Sequence, residues 1–381
     1  MKIIVVAGAR PNFMKVAPLI EALRAAQVRL PALAYTLVHT GQHYDAQMSQ
    51  AFFEDLGLPR PDVDLGVGSG SHAEQTGKIM MAFEGLLQQM QPDWVVVVGD
   101  VNSTMACTIT AKKLGIKVAH VEAGLRSRDW SMPEEINRLV TDVLCDLLFT
   151  TDPLASQNLQ AEGIDASRIH FVGNVMIDTL LQHRERAISL RLWERLGLQA
   201  GAYGVVTLHR PSNVDERQVL EGIVAALEVV QRQLPLVFPV HPRTRKMAEA
   251  FGVWARMRAW PQAYLLEPLS YLQMLSLTSH AALILTDSGG LQEEAVILGV
   301  PCITLRENTE RPITVAVGAN QVVGNKPEAI IEAAQTRLCK GHMLFQPPEK
   351  WDGLAAQRIV EILITSCRAN TFANPILPKI H

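Results

Sequence analysis

The chain has 381 residues, 48% hydrophobic and only 19% charged, with a net charge of −3. At roughly 150 residues per domain, this length suits two to three domains that need no disulfide or metal staple. The low charged fraction excludes a disordered, highly charged chain, and the near-neutral balance excludes a global field for nucleic acid or anionic membrane.

Lys2–Ala7 reads as a buried first strand. The apolar run Ile3–Gly8 is too short for a secretory signal or a membrane span. No other segment approaches the ~18 apolar residues that a spanning helix needs. Pro11–Ala26 has helical apolar spacing, and Thr36–Thr40 is a strand running into the turn Gly41-Gln42-His43-Tyr44-Asp45. Trp94–Val98 is a nearly pure valine strand ending in Gly99-Asp100, with a helix from about Thr104 to Leu114. Val118–Val121, a helix over Pro133–Val143 and a strand over Leu147–Thr150 follow. This alternation predicts a parallel α/β sheet. Such sheets bind ligands beyond the carboxyl ends of their strands, which selects Gly8–Arg10, Gly99–Asp100 and Glu122–Gly124.

The pattern then restarts. Ile169–Val172 leads into a helix expected over Asp178–Arg195. Val205–Leu208 ends in His209-Arg210, and the next helix, Asp215–Gln233, carries Asn213 and Glu216 at capping-box spacing. Leu236–Val240 ends in His241, Leu283–Thr286 in Asp287-Ser288-Gly289-Gly290, and Cys302–Leu305 follows. The expectation is an α/β protein of two Rossmann-like domains, 1–174 and 175–350. A final helix in 351–381 would pack across the join or back on the first domain. Five dispersed cysteines without CxxC spacing suggest reduced, mostly buried thiols in a cytoplasmic protein. The acids and histidines show no metal-ligand spacing, so no metal is expected.

The first turn, Gly8-Ala9-Arg10-Pro11, lacks the second and third glycines of a dinucleotide fingerprint. Arg10 and Lys15 instead offer two cations to an anion, although ordinary surface charge explains them equally well. Leu285–Ala295 is more specific, as a strand running through a turn into a helix. Ser288 can cap that helix or act as a ligand. Gly289 and Gly290 leave backbone N–H groups open to a phosphate at a helix N-terminus. Glu294, one turn on, can accept from both ribose hydroxyls.

Asp100, Glu122 and either Glu134 or Glu135 fall near the mouth of the first sheet. Each alone is most simply a helix-terminus partner. Three converging acids would raise at least one pKa and permit acid–base chemistry near neutral pH. His209-Arg210 and His241, at strand ends of the second domain, suggest ligand contacts.

The blocks GARPNFMK, TGQHYD, VVVVGDVNST, HVEAGLRS, MPEEINR, FVGNVMID, TLHR and LTDSGGLQEEA with TERP occur in that order. Together they resemble the non-hydrolysing UDP-N-acetylglucosamine 2-epimerases from residue 1 to about 365. The resemblance implies a glycosyltransferase-B type of fold with the active site in the interdomain cleft and UDP mainly on the second domain. It implies Asp100, Glu122 and Glu134 as the proton-transferring acids, and His209 as a catalytic diphosphate contact. Arg10, Lys15, Arg210, His241, Ser288, Gly289, Gly290, Glu294 and Arg311 would bind substrate. Gln42 and His43 would contact a second UDP-GlcNAc as effector. No cofactor, nucleic acid or membrane is implied, and a homodimer is expected. Three departures stand out: GARPN where the family has GTRPE, HPRTR after His241 where many members have an asparagine-proline turn, and no arginine in SHAEQTGKIM.

The C2 proton of the sugar is not acidic, and no keto group adjoins it. Anti elimination of UDP across C1–C2 would give a 2-acetamidoglucal, and UDP would add back after reprotonation on the other face. The developing diphosphate charge would fall to the Ser288–Gly290 turn, Arg10, His209 and Arg311. Alternatives are a 2-epimerase of a UDP-3-acetamido uronic acid, a glycosyltransferase, a hydrolysing epimerase and a non-catalytic UDP-sugar sensor. The acidic trio disfavours the glycosyltransferase and the sensor. Which acid takes the proton is left open.

Overall fold

The structure, a computed structural model, describes residues 1–41, 55–340 and 345–372. The chain divides into two compact units, Met1–Thr179 with the chain from Glu349 onward, and Leu180–Pro348.

The first unit has seven strands among the described residues: β1 (Lys2–Ala7), β2 (Ala34–His39), β3 (Val63–Asp64), β4 (Trp94–Val98), β5 (Lys117–Ala123), β6 (Leu147–Thr150) and β7 (Ile169–Phe171). Every pairing is parallel, in the order β3-β2-β1-β4-β5-β6-β7. The second unit has β8 (Gly204–Thr207), β9 (Leu236–Pro239), β10 (Ala263–Leu266), β11 (Leu283–Thr286), β12 (Cys302–Thr304) and β13 (Asn320–Val322). They form a second parallel sheet, β10-β9-β8-β11-β12-β13. In each sheet the direction of winding reverses once, between β1 and β4 and between β8 and β11. A crevice opens at such a reversal because the connecting helices leave on opposite faces.

The strands lack polar–apolar alternation because both faces are covered. Trp94–Val98 and Leu283–Thr286 are buried at every position. The core of the second unit packs Val206, Phe238, Leu285 and Ile303 of the sheet with Leu220 and Leu227 of helix Arg217–Val230. Each such side chain contributes roughly 1.5–3 kcal/mol by leaving water.

The last helix, Ala355–Phe372, packs on helix Arg10–Arg29 within the first unit. The Asp178 carboxylate accepts the N–H groups of Ala355 and Ala356 at 3.2 and 2.7 Å, which satisfies the start of that helix. Trp351 Nε1 donates to the Thr151 carbonyl at 3.0 Å.

Two local expectations fail. Asp178–Arg195 is not one helix but Val175–Ser189 and Leu192–Arg195, separated where Arg191 takes a left-handed φ of 45°. The capping box at Asn213 and Glu216 does not form. A short helix, Pro211–Val214, takes up that segment, the main helix begins at Arg217, and Glu216 makes no side-chain cap bond. Asn213 is used elsewhere: its amide donates to Asp287 at 3.3 Å and to the Leu305 carbonyl at 2.7 Å. Among the described residues no helix is long and apolar enough to cross a membrane.

Candidate active site

The first cluster lies at the β1/β4 reversal. Asn12 Oδ1 accepts the N–H groups of Gly8 and Ala9 at 3.1 and 2.9 Å, and its Nδ2 donates to the Val98 carbonyl at 3.0 Å. One amide thus fastens the ends of β1 and β4, a role that a glutamate, lacking a donor when ionised, could not fill. Lys15, three residues along the same helix, forms a buried ion pair with Glu122. Its Nζ would lie 3.1 Å from a Cβ on Gly99, so the left-handed glycine (φ 71°) also leaves room for the ammonium.

Glu122 sits where the β5–β6 register slips between Val121 and Ala123. Its φ of 75° is one that a residue with a Cβ rarely adopts. Bulges and left-handed non-glycine residues concentrate where a side chain has been re-aimed for function. Asp100, just past β4, is held at 2.6 Å by Arg138, which also pairs with Glu135 at 2.8 Å. Glu135 further accepts from Ser127 N (3.0 Å), Ser127 Oγ (3.0 Å) and Arg128 N (2.9 Å). Burial would raise the Glu135 carboxyl, but these bonds and Arg138 bring it below its ordinary value. Glu135 is therefore part of the scaffold. Glu134 beside it is half-buried, with no hydrogen-bond or ion-pair partner among the described residues.

Asp100 and Glu122 each have a cation of their own, Arg138 and Lys15. Arg10 opens its helix, but its side chain lies outside the described residues, as do Gln42 and His43 entirely.

The second cluster lies at the β8/β11 reversal. Asp287, wholly buried at the end of β11, accepts the backbone N–H of His209 and of Arg210, each at 2.9 Å. His209 Nδ1 also donates to it at 2.8 Å, which turns Nε2 outward on a side chain 38% exposed. Burial would raise the Asp287 carboxyl; the His209 ring and the backbone donors bring it down overall. His241 caps helix Pro242–Ala250, its Nδ1 accepting from Arg243 N at 3.2 Å, and its ring centroid is 5.8 Å from that of His209.

Ser288 is the N-cap of helix Gly289–Leu298 but makes no side-chain cap bond, so its hydroxyl does not satisfy the first N–H groups. Gly289 is required sterically, since a Cβ there would lie 2.7 Å from Arg311 Nη1 and 2.8 Å from Glu310 Oε1. Arg311 is braced by Glu310 at 2.7 Å and Glu293 at 3.0 Å. Arg306 reaches Glu310 at 2.8 Å, and Arg210 at 3.7 Å. Burial alone would raise Glu310, but Arg311, Arg306 and Arg210 hold it far below the usual carboxylate range. Arg210, Arg306 and Arg311 thus gather three guanidinium groups around Glu310 and Glu293 beside a helix N-terminus, a setting suited to an anion. Arg306, Glu310 and Glu293 carry no strand-end signal in the sequence, because they join this cluster only through contacts among themselves and with Arg311. Glu310 lies inside the TERP block and could have been found there. Glu294 is buried, and that burial pushes its carboxyl up to about 7, with the Tyr271 hydroxyl opposing and Glu293 adding to the rise. Among the described residues no group of three or more His, Cys, Asp or Glu side chains could hold a metal ion.

Two doubly wound parallel sheets, with acids at one reversal and an anion-suited helix start at the other, define a two-unit α/β fold of the glycosyltransferase-B type. The sucrose-phosphate synthase of Thermosynechococcus elongatus shares that fold, with 15% identity, a TM-score of 0.60 and coverage of 98% of this chain and 99% of that one. Residues 26–364 match the sequence model of the UDP-N-acetylglucosamine 2-epimerase family, and the chain belongs to that family of isomerases. The Methanocaldococcus jannaschii UDP-GlcNAc 2-epimerase, solved in complex with UDP-GlcNAc and UDP, superposes with a TM-score of 0.89 at 42% identity, covering 96% of this chain and all of that one. The UDP-2,3-diacetamido-2,3-dideoxy-D-glucuronate 2-epimerase of Pseudomonas aeruginosa is 42% identical over 368 residues, 95% of this chain and 99% of that protein.

Proposed function

We propose that the protein interconverts UDP-N-acetylglucosamine and UDP-N-acetylmannosamine by anti elimination of UDP and re-addition to the 2-acetamidoglucal. The observation that carries this reading is Glu122, a buried carboxylate on a left-handed bulge, paired with Lys15 beside the Asp100 turn. Base chemistry at a carbon of low acidity needs a desolvated carboxylate fixed in place. Asp100, Glu122 and Glu134 serve proton transfer at C2. The Gly289–Gly290 helix start, Ser288, Arg210, Arg311 and His209 Nε2 take the diphosphate, with charge rising there as the C1–O bond breaks. Arg10 and Lys15 complete the cation set, His241 supports the His209 side, and Glu294 takes the ribose hydroxyls. No redox step is required, because the glycal route leaves every oxidation state restored.

The equal identity to the Pseudomonas aeruginosa relative favours one second reading, the same chemistry on a UDP-2,3-diacetamido uronic acid. Incubation with each sugar nucleotide, followed by proton NMR of the anomeric region, separates the two. UDP-ManNAc formed from UDP-GlcNAc supports the first. Turnover of the uronate alone selects the second, and free N-acetylmannosamine as the main product contradicts both.

A further inference from the structure

His120 lies on β5, two residues before Glu122, with none of its side chain exposed. Its Nε2 is 2.8 Å from the Gly99 carbonyl oxygen. A carbonyl can only accept, so Nε2 carries hydrogen. Its Nδ1 is 2.6 Å from Asp142 Oδ1. The other oxygen of Asp142 accepts from Gly124 N at 3.1 Å and pairs with Arg126 at 2.8 Å. Asp142 is thus an acceptor through both oxygens, and Nδ1 is its donor as well.

The two ends of this bridge are the turns that present the acids. Gly99 precedes Asp100 and has a left-handed φ of 71°, which turns its carbonyl inward. Gly124 follows the Glu122 bulge, with φ 80°, and a Cβ there would meet the Ala155 carbonyl oxygen. Without the imidazole, the Gly99 carbonyl would be buried with one acceptor site unfilled, which is costly.

We infer that His120 is a positioning residue, a ring with hydrogen on both nitrogens that ties the Asp100 turn to the Glu122 bulge and fixes the separation of the two acids. The inference rests on the epimerase reading of those acids. It separates His120 from an ordinary core residue, whose loss would lower stability and leave the turnover of the folded fraction intact.

The two arms of the ring can be removed one at a time. In His120→Gln the amide nitrogen takes the place of Nε2 and keeps the Gly99 bond. In His120→Asn it takes the place of Nδ1 and keeps only the Asp142 bond. The expected result is a kcat loss of ~100-fold in His120→Asn, of the size that an ångström of misplacement produces, and of only ~10-fold in His120→Gln. KM for UDP-GlcNAc and UDP affinity should stay within about twofold of the unsubstituted enzyme, since uniform binding is untouched. Nitrogen-15 histidine labelling supplies a test that needs no variant: His120 should show two N–H correlations. A single N–H, or wild-type kcat in folded His120→Asn, overturns the proposal. Failure of the unsubstituted protein to turn over UDP-GlcNAc would sink the epimerase reading instead, and the N–H count would still decide the double-donor bridge.

Discussion

Lys15 is ion-paired with Glu122, and the pair is almost wholly buried, with 10% and 3% of the two side chains exposed. A buried pair is costly to split, because the survivor keeps its desolvation penalty and loses its partner. Lys15→Met should therefore lower stability by about 3–5 kcal/mol, and adding Glu122→Gln should restore much of it. Urea unfolding of the two single variants and the double variant checks this. Additive losses would contradict the pairing.

The adjacent glutamates of the PEE block should separate cleanly. Glu134 has no partner among the described residues, so Glu134→Gln should change stability by no more than about 0.5 kcal/mol. Its kcat should fall by about 10²–10⁴, the usual contribution of a positioned acid or base. Glu135 holds Arg138, Ser127 and Arg128. Glu135→Gln should instead cost about 3–5 kcal/mol of stability. Melting curves beside initial rates distinguish the pair.

Gly289→Ala places a methyl group where Arg311 Nη1 and Glu310 Oε1 stand. The guanidinium must move, which would weaken the charge-assisted bond to phosphate proposed for it. UDP affinity, measured by calorimetry, should fall by about tenfold or more, corresponding to part of one such bond. Unchanged affinity would place the diphosphate elsewhere.

Glu294 has a carboxyl pushed up to about 7 from 4.5 by burial. Between those values the native state holds a proton that the unfolded chain has released. Its contribution therefore makes stability fall as pH rises from 4.5 toward 7 and level off above. Glu294→Gln should remove that slope, read from denaturation midpoints across the range. It should also weaken UDP, whose ribose loses a carboxylate acceptor, most clearly above pH 7.

The sequence made the sheets legible because parallel strands buried on both faces are unbroken aliphatic runs. Trp94–Val98 and Leu283–Thr286 were read at the same limits that the structure gives them. Candidate residues were legible where they stand at a strand end, and the structure places Asp100, Glu122, His209 and Ser288 at the carboxyl ends of β4, β5, β8 and β11. It was not legible where a side chain works through another. Nothing local marks Arg138 as the partner of Asp100, 38 residues away, or Asp142 as the partner of His120. The helix break at Arg191 has no local mark either, since its left-handed backbone carries no glycine signal. Asn213 has a capping residue's chemistry, but tertiary contacts to Asp287 and Leu305 claim its amide.

The central claim is that a carboxylate of the first unit removes the C2 proton of a UDP-sugar whose diphosphate is released and recaptured. The most direct test is to incubate the protein with UDP-GlcNAc in D2O and follow C2 by NMR. The account predicts UDP-ManNAc bearing deuterium at C2, with the exchange lost in Glu122→Gln while UDP still binds. Epimerised product with protium retained at C2, or full exchange in Glu122→Gln, Asp100→Asn and Glu134→Gln alike, would contradict it.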